Sequence, residues 1–237
     1  MLPVRFNRLY GTIIITYLLL GTIGCATTPR PIPDEISGTR MIESGNSAMR
    51  NGDYEKATTY YRRALAIDMT DAEAFGNLSV AYYYLQRYDD AIREAMQAVI
   101  LAPDEINWRL NLGACYSRKG NHESAARAYG VAVKIARGLR REARFLLRNA
   151  LMGRGRSCEL AGWYDQALEA YREALIFSPE DTELLAGIGN IYFRQGHLKE
   201  AQTLYNRTIA IDSNHTVAKY NVALFYAKTC LLYTSDA

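Results

Sequence analysis

The stretch FGNLSVAYYYLQRYDDAIREAMQAVILAP, residues 75–103, decides the fold. Phe75, Leu78, Ser79 and Tyr82 recur at i, i+3, i+4 and i+7, the spacing of one face of an α-helix. Ala91, Ala95 and Ala98 mark the buried face of a second helix, which Pro103 ends. Between them, Gln86 and Arg87 are polar and leave room only for a tight turn. The unit is a pair of short antiparallel helices, and neither can bury its apolar face without a neighbour.

The same spacing returns along the chain. Residues 38–71 place Gly45, Ala48, Gly52, Tyr54, Ala57, Tyr61 and Ala64 in register with it. Residues 72–105 are the stretch just quoted with its flanks, and 106–139 repeat the pattern through Leu112, Gly113, Tyr116, Gly120, Ala125, Tyr129 and Ala132. The period then slips by the eight residues 140–147. It resumes at 148–181 with Leu151, Gly155, Gly162, Tyr164, Ala167, Tyr171, Ala174 and Pro179, and again at 182–215 with Leu185, Ile188, Gly189, Tyr192, Gly196, Ala201 and Tyr205. Residues 216–229 read as the first helix of a partial sixth copy. Eight extra residues are about two helical turns, so two longer helices facing each other would absorb the slip without reversing their buried faces.

A pattern W-x2-L-G-x2-Y, A-x3-F, P at a period of 34 marks the tetratricopeptide repeat, or TPR. The chain resembles that family over 38–229, with Phe75 for Trp, Ser79 for Gly and Ala95 for the second aromatic in the quoted copy. The resemblance implies an all-α solenoid of antiparallel helix pairs, five repeats and a partial sixth, stabilised by stacking of neighbours. Small residues at repeat positions 8, 20 and 27 let the helices approach closely. TPR proteins commonly bind peptides on the concave surface formed by the first helix of each pair. By that resemblance the candidate partner-binding residues are Asn46, Arg50, Tyr83, Tyr84, Ser117, Arg118, Arg156, Asn190, Phe193 and Arg194. A chaperone-binding branch of the family uses a Lys/Asn/Arg carboxylate clamp. Asn46 and Asn77 match its two Asn positions, but Ile42, Asn107 and Asn111 stand where its Lys and Arg residues belong.

The N-terminus has a different origin. Arg5 and Arg8 precede an apolar run from Leu9 to Leu20, followed by small residues and Cys25. This is the architecture of a signal peptide over residues 1–24, with an apolar core too short to span a membrane comfortably. Thr22-Ile23-Gly24-Cys25 resembles the lipobox of bacterial lipoproteins, in which the Cys becomes the lipidated first residue. An ordinary signal peptide, or an uncleaved anchor, with an incidental Cys is the alternative. Ala26, rather than Asp, follows Cys25, which by the same resemblance implies the outer membrane facing the periplasm. Residues 25–37 carry Pro29, Pro31 and Pro33 and read as an extended spacer between a lipid anchor and the repeats.

The chain has 237 residues, 49% of them hydrophobic, and a net charge of +3, which gives no ground for a nucleic-acid partner. Nucleophile-elbow, zinc-protease, phosphate-loop and paired-cysteine motifs are all missing, so neither catalysis, metal nor cofactor is expected. Cys115 and Cys158 fall on first helices of successive repeats and read either as buried thiols or as a bridge. Residues 134–156 carry eight basic side chains against one acid, Glu142. Lys134, Arg137, Arg140, Arg141, Arg144 and Arg148 form a candidate basic patch there. It is either a helix face partnered by the acidic second helices or a docking patch for an acidic partner, anionic lipid or glycan. Residues 230–237 fit no repeat position and resemble the translated adapter tails of truncated sequences. The expectation is therefore a longer natural chain, of which this would be the N-terminal TPR part. The whole sequence reads as a membrane-anchored scaffold for protein or peptide partners, similar to TPR lipoproteins that assemble pili or secretion machines.

Overall fold

The computed structural model describes residues 37–139 and 144–235, with side chains to residue 226. The described residues form eleven helices and no strand. The pairs are α1 Gly38–Arg50 with α2 Tyr54–Ile67, α3 Ala72–Tyr84 with α4 Tyr88–Leu101, and α5 Ile106–Arg118 with α6 His122–Gly138. They continue with α7 Arg144–Leu160 and α8 Tyr164–Phe177, then α9 Thr182–Gln195 and α10 Leu198–Ile211. Helix α11, Thr216–Ser235, runs on into the segment that fits no repeat position. The expected signal peptide over 1–24, Cys25 and residues 26–36 of the expected spacer lie outside the described residues, as do Arg140 and Arg141. No helix among the described residues is long and apolar enough to cross a membrane.

Local chemistry fixes where each pair turns. Gly52, Gly120, Gly162 and Gly196 take φ between 79° and 84°, a left-handed conformation that a residue without Cβ adopts freely. The second repeat puts Gln86 there, at φ 59°, the one non-glycine residue with positive φ among the described residues. Side-chain caps start several helices: Ser37 accepts from Arg40 N, Asp71 from Ala74 N, Asn121 from Ser124 N, and Asp181 from Glu183 N and Leu184 N.

Packing follows the small positions. Ala57, Ala91, Ala125, Ala167 and Ala201 are fully buried where second helices press on first helices. Each helix packs on its chain neighbours, and the first helices α1, α3, α5, α7, α9 and α11 also touch one another in sequence. That continuous contact makes them one layer of the solenoid, with the second helices as the other. The helices on either side of the slip in period are the long ones: α6 and α7 each have 17 residues, against 13 or 14 in α1–α5 and α8–α10. Cys115 and Cys158 are buried free thiols.

Candidate functional site

The first-helix layer carries the candidate residues, and its geometry begins with tyrosines that reach it from the second helices. Tyr61, Tyr129, Tyr171 and Tyr205 occupy the same repeat position. Each ring lies against a glycine of the preceding helix: Gly45, Gly113, Gly155 and Gly189. A Cβ would stand 2.9 Å from the Tyr129 ring at Gly113 and 2.7 Å from that of Tyr205 at Gly189, so any other residue would displace the ring.

Two of these tyrosines close the same hydrogen-bonded joint. Tyr61 Oη donates to Asn46 Oδ1 at 2.7 Å, and Asn77 Nδ2 of the next repeat donates to that oxygen at 3.3 Å. Tyr205 Oη donates to Asn190 Oδ1 at 2.9 Å, and Asn221 Nδ2 donates to it at 2.7 Å. The side-chain oxygens of Asn46 and Asn190, both candidates for partner contact, are thus already engaged inside the solenoid. The Asn46–Asn77 pair that matches the clamp pattern is itself one of these joints.

The fourth repeat uses a different acceptor. Tyr171 Oη donates to Glu159 Oε2 at 2.9 Å. Burial lifts the Glu159 carboxyl above its ordinary pKa, against the opposing influence of Tyr171, Arg194, Asn190 and Arg156. Arg156 and Arg194, both exposed, therefore flank a half-buried acid. Glu159 belongs to no motif in the sequence. Its signal is a carboxylate at a position held by Met49, Tyr83, Ser117 and Phe193 in the other complete repeats.

At the C-terminal end of α3 the layer is aromatic. Tyr84 stacks on Tyr54 with centroids 4.8 Å apart and planes at 9°. Tyr83 meets Tyr84 edge-on at 5.6 Å and Tyr88 at 6.0 Å. Arg118 Nε donates to Tyr83 Oη at 2.8 Å, and its guanidinium carbon lies 5.7 Å from that ring's centroid. A cavity of about 190 Å³ opens beside them, lined by Ser79, Val80, Tyr83, Tyr84, Asn111, Ala114 and Cys115. Sites for drug-sized molecules run from roughly 300 Å³ upward, so this one suits a single side chain. Of the remaining candidates, Arg50 is exposed near the start of the layer, Ser117 is half-buried beside Arg118, and Phe193 packs on the cluster around Tyr205.

The basic segment is partly neutralised from within. Arg137 donates to both carboxylate oxygens of Glu173 on α8, at 3.3 and 2.6 Å. Arg148 pairs with Asp181, the cap of α9. Lys134 and Arg144 are exposed. Among the described residues, no group of three or more His, Cys, Asp or Glu side chains is placed to hold a metal ion.

Comparison with known proteins agrees with this architecture. Family models described as tetratricopeptide repeat match residues 42–106 and 77–140, and a further one matches 160–223. DnaJ homolog subfamily C member 7 of Mus musculus is 25% identical over 217 residues, covering 85% of this chain and 42% of that protein. Protein O-mannosyl-transferase TMTC3 of Mus musculus is 22% identical over 184 residues, covering 75% of this chain and 20% of the other. The chain thus spans less than half the length of these curated relatives. The crystal structure of YrrB, described as a TPR protein with an unusual peptide-binding site, superposes with a TM-score of 0.69 at 18% identity, covering 79% of this chain and 93% of YrrB. At that identity the likeness concerns the fold.

Proposed function

Because the chain belongs to the tetratricopeptide repeat family, a fold that serves as a scaffold for protein and peptide partners, we propose that it binds an extended partner segment along its first-helix layer. The observation that carries this reading is the run of exposed or half-exposed aromatic and basic side chains on that layer: Tyr83, Tyr84 and Arg118, then Arg156 and Arg194. Aromatic and arginine side chains are the types enriched where partners are gripped. Site-specific crosslinking from Tyr84, followed by capture with Arg118→Glu and Arg194→Glu variants, tests it. A set of crosslinked partners unchanged by both charge reversals would remove the inner layer from consideration.

The N-terminal sequence supports a location for that scaffold. A lipid on Cys25, with residues 26–37 as spacer, would hold the repeats beside a bacterial envelope membrane. An assembly role for a pilus or secretion machine fits such a tethered scaffold. Metabolic labelling with a fatty acid tests the anchor: incorporation lost in Cys25→Ser supports it, and label retained in that variant refutes it. The Arg137–Glu173 and Arg148–Asp181 pairs weigh against the alternative, an adaptor that contacts anionic lipid or glycan through the basic segment. Flotation of the protein with anionic vesicles separates the two.

A further inference from the structure

The cavity between α3 and α5 has a specific origin. In the first, third, fourth and fifth repeats a tyrosine from the second helix lies over a glycine of the first. The second repeat alone has Ala95 in place of the tyrosine and Ser79 in place of the glycine, both buried. Serine fits there only because the ring is gone, since a Cβ at the equivalent glycines falls under 3.0 Å from the ring. The exchange removes a phenol ring and returns one hydroxymethyl group, and Ser79 lines the cavity between α3 and α5.

The polar residues around the cavity match a missing phenol. Asn111 occupies the repeat position of Asn77 and Asn221, each of which donates to an asparagine oxygen that also accepts a tyrosine hydroxyl. Here that asparagine is replaced by Val80, and the Asn111 amide makes no side-chain hydrogen bond among the described residues. The rim is formed by Tyr83 and Tyr84, with Arg118 held against Tyr83 and its charge unpaired by any carboxylate among the described residues.

We propose that the socket between α3 and α5 receives a tyrosine side chain from an acidic partner peptide, which takes the place of the tyrosine absent from the second repeat. This rests on the reading of the first-helix layer as a peptide-binding surface and names the anchor within it. The ring would fill the cavity from the open side, its hydroxyl would meet the Asn111 amide, and a neighbouring Asp or Glu of the peptide would pair with Arg118. Phenylalanine would enter with the loss of one hydrogen bond.

The test is selection of binders from a random decapeptide phage library on three forms of the full chain: native, Ser79→Gly/Ala95→Tyr, and Ala114→Leu. The double variant restores the glycine–tyrosine pair used by the other four repeats, and the single variant narrows the cavity from α5. Circular dichroism melts establish which variants fold. The expected result is enrichment of peptides with a tyrosine beside Asp or Glu on the native protein, with affinity at least tenfold weaker on whichever filled variant folds. Peptides without an aromatic residue, or equal binding to native and filled forms, overturn the socket while leaving a groove that binds peptides. No enrichment on any form overturns the socket and the peptide-binding reading together. Self-association that the filled variants abolish assigns the socket to a second copy of the chain and overturns the peptide proposal.

Discussion

Tyr61 and Asn46 form one joint that fastens the first helix pair to the second: the phenol donates at 2.7 Å to an amide oxygen that also accepts a hydrogen bond from Asn77 Nδ2. Tyr61 is 1% exposed, so its hydroxyl has little water to turn to. Tyr61→Phe is expected to cost about 0.5–1.5 kcal/mol, the net worth of one hydrogen bond. Asn46→Ala should cost more, because it leaves two donors unmatched. The double variant should cost less than the sum of the two single changes, since they share one bond. Urea denaturation supplies all three values. An Asn46→Ala protein as stable as the native one would return Asn46 to the solvent-facing, partner-binding role.

Gln86 should be the weak turn. It holds φ 59° where four other repeats have glycine. A left-handed conformation costs a residue with Cβ roughly 1–2 kcal/mol, partly offset by the greater chain entropy that glycine loses on folding, about 0.5–1 kcal/mol. Gln86→Gly is therefore expected to raise stability by up to about 1 kcal/mol, read as a higher thermal midpoint. Gly120→Gln should lower it by a similar amount.

These two sites show what was legible in the sequence. The turn glycines, the buried alanines and the two lengthened helices, His122–Gly138 and Arg144–Leu160, all follow from local spacing, because each depends on residues within a turn or two of itself. The joints do not. Asn46 meets Asn77 across 31 positions, and nothing local distinguishes an asparagine that fastens repeats from one that faces a ligand. Tyr84 likewise reads as a free recognition side chain, yet it stacks on Tyr54 from another pair. Arg137 and Arg148 read as one basic patch with Arg144, but each reaches an acid more than 30 residues away. The origin of the socket is legible in the sequence: the glycine and tyrosine of the other aligned repeats are jointly replaced by Ser79 and Ala95, while its volume depends on how α3 and α5 pack.

Alkali should loosen the solenoid through its buried tyrosines. Burial pushes the phenols of Tyr61, Tyr129 and Tyr205 from 10.0 up to about 12, and drives that of Tyr171 up further with the help of the Glu159 carboxylate. A pKa raised in the folded state means that the folded chain holds its protons more tightly than the unfolded one. Stability from this source is complete below pH 10 and is lost as pH rises through 12. Urea midpoints should fall across that window, and Tyr61→Phe/Tyr205→Phe should flatten the fall. Far-UV circular dichroism and tyrosinate absorbance followed together provide the check. Full ionisation of all 18 tyrosines with helicity intact would contradict the packing described.

Asp181 should matter more than an ordinary surface acid, because three donors converge on it. It accepts from Glu183 N at 3.1 Å and Leu184 N at 3.2 Å, which starts α9, and it pairs with Arg148 on α7. The side chains of Arg148 and Asp181 are 31% and 12% exposed, so the pair is only partly solvated. Asp181→Asn keeps an oxygen to cap the helix and removes the charge. Asp181→Ala removes both, with the cap alone worth about 1 kcal/mol. The expected order of stability is native, then Asp181→Asn, then Asp181→Ala. In an Arg148→Met background the asparagine change should have little further effect, and high salt should narrow the gap between native and Asp181→Asn. The pair also links the lengthened α7 to the start of the next repeat. Hydrogen exchange in Asp181→Ala should therefore rise first at the N-terminus of α9, with the first three repeats unchanged. Uniform loss of protection along the chain would show that the junction is not fastened there.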